Sequence, residues 1–329
     1  MKKFLTKTIT FLFNCAFAIL ILFLLIKYIS KKNTNFLLNN EYEYVIIGNS
    51  YSETAFNDNL ILNFKNLSTS GQAYFYQYLK IKEVLKTNNV KTLFVEFSNT
   101  DILIDMDSWI FGKEKTNTFM HQYYPFMSES DWLYFYNGQK FDFHHTISSA
   151  IKNSILEFFI KRDININNYF GGYLFLDRNN IEQERYNLKN DSTYKNFHNK
   201  PISSENIIYL KKIVNLCDSL DVNIFFVRSP VHKLFVAKYN ENELINIQNE
   251  TFENIDILNF SNFELEDECF ADFGHLNYKG ANKFSDFFNK LLTNGLLNKE
   301  NIKELIKVEI NKFNSSSLNT NHFNSSPKP

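Results

Sequence analysis

The chain has 329 residues, of which 44% are hydrophobic and 17% aromatic, and its formal net charge is −1. That is enough for one large domain with insertions or for two ordinary ones, each with a sizeable core. A charge this close to zero gives no basis for a nucleic-acid partner or for an electrostatic grip on anionic lipid. Cys15, Cys217 and Cys269 form neither a CxxC pair nor a metal-ligand spacing. No metal or cofactor is therefore expected, and Cys217 and Cys269 read as buried thiols.

Thr8 to Ile26 is an apolar run broken only by Asn14 and two threonines, and Lys2, Lys3 and Lys7 precede it. It is long enough to cross a bilayer as a helix. No small-x-small cleavage site precedes Lys27, so residues 1–29 read as an uncleaved anchor. Lys27, Lys31 and Lys32 balance the upstream lysines, and only the N-terminal amine tips the count toward N-inside. Residues 30–41, rich in Asn and Lys, read as a short tether to a globular domain over 42–299.

From there strands and helices alternate. Tyr42–Ile47 reads as a first strand, and its apolar run Tyr44–Ile47, with β-branched residues, suits a buried one. It stops at Gly48-Asn49, residues that tolerate a tight turn. A short second strand is expected within Leu60–Leu67, ending at Ser68-Thr69-Ser70-Gly71. Gln72–Thr87 is helical in period, with Phe75, Leu79, Ile81 and Leu85 near one face. Thr92–Phe97 is a third strand, followed by Ser98-Asn99-Thr100-Asp101. The rhythm then breaks between about 102 and 200, an aromatic-rich insertion with Trp109, Tyr123, Tyr124, Trp132, Tyr134, Phe135 and Tyr136. A helix near Thr146–Lys161 and a turn at Gly171-Gly172 are expected inside it, and its aromatics are expected to pack rather than bind. The alternation resumes with a helix over Glu205–Leu220 and a strand over Val222–Val227, which ends at Arg228-Ser229-Pro230-Val231-His232. A helix over Lys233–Gln248, a strand over Ile255–Phe260 and a closing helix through Leu292 follow. Residues 300–329 read as a helix, Glu300–Phe313, and a disordered Ser/Asn-rich tail.

Strands separated by helices argue for an α/β fold, a parallel sheet covered on both faces. In such sheets ligands sit beyond the carboxyl ends of the strands. Ser50, Gly71, Asn99, Asp272 and His275 all fall at that edge. A serine hydroxyl needs a base during attack, imidazole is matched to that task, and a carboxylate fixes its tautomer. Ser50 with His275 and Asp272 fits those roles, and the N–H groups of Ser50 and Gly71 with the Asn99 amide could stabilise an oxyanion. Plainer readings stand beside these. Ser50 could cap a helix, Gly71 could start one, Asn99 could serve a turn, and Asp272 with His275 could be a structural pair. Arg228 and His232, at another strand end, are weak candidates for lining a substrate pocket. His144 and His145 have no acidic partner at a telling spacing.

Gly48-Asn49-Ser50, Gly71, Asn99 and Asp272-Phe273-Gly274-His275, in that order, resemble the four blocks of the SGNH (GDSL-like) hydrolase superfamily. The likeness covers roughly residues 42–100 and 205–293. The first block has Asn where Asp is usual, and the third lacks the common Gly-x-Asn-Asp form. The resemblance implies a flavodoxin-like three-layer α/β/α domain, a catalytic Ser50–His275–Asp272 set, and an oxyanion hole from Ser50, Gly71 and Asn99. The added membrane anchor is similar to the DltD-like and exopolysaccharide O-acetyltransferase-like group. That likeness implies an extracytoplasmic domain at the cell membrane, acting as an esterase or O-acyltransferase on acylated glycans or cell-surface polymers. It also implies a multi-spanning membrane acyltransferase as a partner. The alternative is an inactive module of the same fold that binds glycan or such a partner.

Overall fold

Tyr44-Val45-Ile46-Ile47 forms a strand because every one of its side chains has an apolar surface to meet. Val45 and Ile47 point into one hydrophobic cluster, and Ile46 points into a second on the opposite face. The same alternation divides Leu93 and Val95 from Phe94, and Phe226 from Val227. In the computed structural model, which describes residues 1–139, 142–160, 164–165, 170–190, 200–235 and 240–323, these strands build one parallel sheet. Its members are β2 (Tyr44–Ile47), β3 (Phe64–Asn66), β4 (Thr92–Glu96), β6 (Asn223–Arg228) and β7 (Ile257–Asn259). Their order across the sheet is β3-β2-β4-β6-β7. A separate two-stranded pair joins β1 (Thr34–Asn35) to β5 (Ile164–Asn165).

Helices cover both faces. On one side lie α3 (Tyr74–Thr87), which buries Tyr74, Phe75, Leu79, Ile81 and Val84, and α9 (Ser204–Ser219), which buries Tyr209, Leu210, Ile213 and Cys217. On the other lies α11 (Tyr278–Thr293), capped by Asn277, whose side chain accepts from Lys279 N and Gly280 N. Its apolar stripe of Ala281, Phe284, Phe288, Leu291 and Leu292 follows the i, i+3, i+4 spacing of a helix lying on a core. Cys217 and Cys269 are free and buried.

The insertion is a helical layer: α4 (Asp107–Phe111), α5 (Lys113–Tyr123), α6 (Glu129–Gly138), α7 (Phe143–Ile160) and α8 (Ile181–Asn190). Its aromatics pack as expected. Tyr123, Tyr124 and Phe135 are buried in the same cluster as α3, with Trp109, Trp132 and Tyr134 against it. His144 and His145 are exposed on α7. The expected helix at 146–161 starts earlier, at Phe143, and residues 161–163 lie outside the described ones.

Three expectations are corrected. Residues 30–41 are not a tether: α1 (Lys2–Asn33) continues through Asn33, and Phe36 and Leu38 are buried in the core. Asn88 fixes this segment, its Nδ2 donating to Phe36 O at 2.8 Å and its Oδ1 accepting from Leu38 N at 2.9 Å. The helix expected from Lys233 begins instead at Glu241, as α10 (Glu241–Thr251). Leu234 N donates to His232 Nδ1 at 3.1 Å and Phe235 N to His232 O at 2.8 Å, which commits that stretch to a turn; residues 236–239 lie outside the described ones. The tail expected to be disordered from Asn314 continues the last helix, α12 (Ile302–Phe323). Asn314 anchors it, accepting from Glu264 N at 3.1 Å and donating to Asn262 O at 3.2 Å. α1 is long and apolar enough to cross a membrane.

Candidate active site

β2 ends at Ile47 and α2 (Ser50–Ala55) begins three residues later. Asn49 caps α2 through Oδ1, which accepts from Tyr51 N at 2.8 Å. Its amide nitrogen donates to the buried Asp101 carboxylate at 2.5 Å. The asparagine thus satisfies both the helix N-terminus and the Asp101 carboxylate, where an aspartate would offer Asp101 no N–H donor. Ser50 occupies the first turn of α2, half-buried at the carboxyl end of the sheet.

The loop from Asp272 to His275 arrives at the same place. Ser50 Oγ lies 2.8 Å from His275 Nε2, and His275 Nδ1 lies 2.6 Å from Asp272 Oδ1. Gly274 N donates to that same Asp272 oxygen at 3.0 Å, closing the loop. The His275 ring stacks on Tyr51, with centroids 5.3 Å apart. Burial alone would raise the Asp272 carboxyl, but hydrogen bonds and charge from His275, then Arg178 and the Gly274 N–H, hold it below the usual carboxylate range. An ionised Asp272 accepts only, so the tautomer that fits this line has the His275 proton on Nδ1 and Nε2 as the acceptor for the Ser50 hydroxyl.

Gly71 lies in the loop after β3 with φ +70, and a Cβ there would come within 2.5 Å of the Trp109 ring. That loop is tied to the first one. Thr69 N donates to Gly48 O at 3.0 Å, and Ser70 donates to the Glu53 carboxylate through both its N–H and its hydroxyl. Burial raises the Glu53 carboxyl, and the two bonds from Ser70 oppose that. Beneath the loop, Lys80 is fully buried with its ammonium on Leu67 O at 2.5 Å and Thr69 Oγ1 at 3.2 Å. Its burial lowers the amine to about 7, against the pull of Glu53.

Arg228 lines a cavity with Glu241, Leu244 and Gln248, as expected of a pocket residue, while Asn99 and His232 spend their polar atoms on neighbouring protein. Arg228 grips Glu241 with both guanidinium nitrogens, at 2.5 and 2.8 Å, and donates to Asn99 Oδ1 at 2.8 Å. Asn99 Nδ2 in turn donates to Glu241 at 3.0 Å. The Asn99 amide is thus engaged with the start of α10 on both its oxygen and its nitrogen, and an oxyanion role would fall to its second amide hydrogen. His232 is 1% exposed, with Nε2 3.1 Å from Asp267 and its ring stacked on Phe273 at 4.9 Å. Its N–H donates to Phe273 O at 2.9 Å. It holds the Asp272–His275 loop from behind.

Arg178 escaped the sequence reading. It sits on the segment 170–180, which crosses both halves of the site. Gly172 N donates to Ser68 O at 3.1 Å, Leu174 N to Glu53 O at 2.8 Å, and Asn180 N to Ala271 O at 2.8 Å. Arg178 Nη2 then reaches Asp272 Oδ2 at 3.0 Å. No local sequence signal marked this arginine, because its partner is 94 residues away. Among the described residues, no three His, Cys, Asp or Glu side chains stand together as a metal site.

A family model that carries no functional description matches residues 163–297, less than half of the chain; the match includes His275 but not Ser50. No curated protein matches the chain.

Proposed function

We propose that the protein is a membrane-anchored serine esterase or O-acyltransferase of SGNH-like type, with Ser50 as nucleophile, His275 as general base and Asp272 as the carboxylate that orients it. The observation that carries this reading is the unbroken hydrogen-bonded line from Ser50 Oγ through both ring nitrogens of His275 to Asp272. The finer fold assignment rests on the strand order β3-β2-β4-β6-β7, which numbered along the sheet is second, first, third, fourth, fifth. That is the order of flavodoxin-like doubly wound sheets, whose ligands sit where the winding reverses, outside β2 and β4.

In the proposed reaction Ser50 Oγ attacks the acyl carbonyl carbon while His275 Nε2 takes the hydroxyl proton. The tetrahedral oxyanion is received by the N–H groups of Ser50 and Gly71. Its collapse breaks the ester C–O bond, and the leaving alcohol departs with the proton from His275. Water or a sugar hydroxyl then attacks the acyl-serine by the same steps in reverse. Side-chain exposures of 24% for His275 and 16% for Asp272 leave the site open on one side, which suits a substrate too large to enclose. Acyl esters of glycans or other cell-surface polymers fit that opening, with the domain on the extracytoplasmic side and a membrane acyltransferase as the donor partner.

The test is labelling of membranes carrying the protein with a fluorophosphonate. Wild type is expected to label, and Ser50→Ala and His275→Ala to lose labelling by about 10³-fold or more. A correctly folded wild type that reacts neither with this probe nor with a smaller organophosphate would sink the enzyme reading in favour of a glycan- or partner-binding module.

A further inference from the structure

The helical insertion meets α1 before α1 has left its apolar stretch. Phe23, Ile26 and Lys27 lie on one face of α1 at i, i+3 and i+4, and that face packs on the insertion. The Phe23 ring is 5.9 Å from both Tyr124 and Trp132, and Lys27 Nζ stands 5.8 Å over the Trp132 ring. Around the same turns, Leu22, Leu24 and Leu25 are 51%, 53% and 50% exposed. About half of each leucine is uncovered, so if α1 spans a bilayer their place is among lipid chains, and the boundary lies past Leu25. Lys31 and Lys32, in the last turn of α1, mark the aqueous side. From Leu25 to Lys31 is about 9 Å of helix, close to the depth of one headgroup layer. Tyr124 and Trp132 touch α1 at its inner end.

We infer that the insertion docks on the bilayer itself, with Trp132 at the boundary between headgroups and acyl chains. Two neighbours on α6 extend the surface: Leu133 is 61% exposed and Tyr136 is 45% exposed. An indole, a phenol and a leucine side by side have the composition of a membrane-interface belt, apolar at the body and polar at the tip. The occupant of this face is the lipid bilayer that α1 crosses. The body is consequently held at a fixed height and tilt above the membrane and does not swing on a linker. This inference rests on α1 and the insertion and is independent of the chemistry proposed for Ser50.

The chain has two tryptophans, Trp109 and Trp132, and they make the test. The full-length protein is reconstituted in phosphatidylcholine vesicles whose acyl chains carry bromine near the carbonyl end. In Trp109→Phe, Trp132 emission is expected to fall by roughly half relative to unbrominated lipid, with weaker quenching when the bromine is near the methyl end. In Trp132→Phe, Trp109 emission is expected to be unchanged. Equal, negligible quenching of the two would overturn the inference. A nitroxide at Leu133→Cys gives a second measurement that leaves both tryptophans in place. Collisions with dissolved oxygen should exceed those with an aqueous nickel complex. A label as accessible to nickel as one on an exposed aqueous site would also overturn it, and so would one shielded from both, which would put a second copy of the chain on this face.

Discussion

Asp272 is held by two partners of different kinds. His275 approaches one carboxylate oxygen and Arg178 the other. Arg178 is 52% exposed, so the pair is worth about 0–1 kcal/mol, up to roughly fivefold in rate. Its removal therefore tests position and charge more than bulk activity. In Arg178→Ala the Asp272 carboxyl loses part of what depresses it, and its pKa rises. The carboxylate then protonates at a higher pH as acid is added, so the acidic limb of ester turnover should move to higher pH while the rate at alkaline pH stays near wild type. A pH–rate profile of the two proteins checks this; a uniform loss at every pH would mean a packing role. Asn99 and His232 show the opposite case at the same scale. Each stands at the functional edge of the sheet, yet each spends its polar atoms on neighbouring protein.

At the scale of elements, the second loop is the most constrained part of the candidate site. Gly71 has φ +70 and lies against the Trp109 ring of α4, so a methyl group would meet both backbone strain and a ring that is itself packed on Phe119. Gly71→Ala is expected to cost about 1–3 kcal/mol, read as a lowered urea midpoint, because the overpacked side chain has little room to move. Labelling of Ser50 should fall as well, since Ser70 and Thr69 link this loop to the serine turn. An unchanged midpoint would show that the loop is free to relax. The insertion thus acts on the site from two directions, through Trp109 under the glycine loop and through segment 170–180 across the top. That second role was not legible in its aromatic composition.

Across the whole molecule, three fully buried titrating groups pull stability in different directions with pH. Burial, and then the nearby Asp101, raises Glu96 from 4.5 to about 8. Burial raises Asp101 from 3.8 to about 7, against hydrogen bonds from Ser98 and Asn49. Between its unfolded and folded values each acid holds more proton in the native state, so its stabilisation is present at low pH and lost as pH rises through the folded value. Lys80, lowered to about 7, behaves oppositely, but only above that value. Asp272, Asp131 and Asp267 are depressed carboxyls, whose contribution is lost only as pH falls below the ordinary carboxylate range. Unfolding free energy should therefore decline from about pH 5 to about pH 7. Glu96→Gln, which keeps the contact with Ser229, should flatten that decline. Equal slopes in denaturant titrations at several pH values would show that Glu96 does not bind the proton.

By itself the sequence determined what depends on neighbours along the chain. The apolar runs at 44–47 and 92–96 made strands, the helical period at 74–87 made a helix, and Gly48-Asn49 made the turn that carries Ser50. Local periodicity and turn chemistry fix such elements before any distant contact forms. The two ends of the candidate site were legible as residues at strand termini, because parallel sheets gather those termini at one edge. Tertiary structure alone decided which polar groups are spent and which are free. The Asn99 amide went to Arg228 and Glu241, His232 went beneath a loop, and Arg178 came to Asp272 from 94 residues away. It also turned the supposed tether into a rigid join, since Phe36 and Leu38 found core to fill. Hydrogen-bond partners and burial depend on chain segments that no local window contains, and for these residues that dependence decides their role.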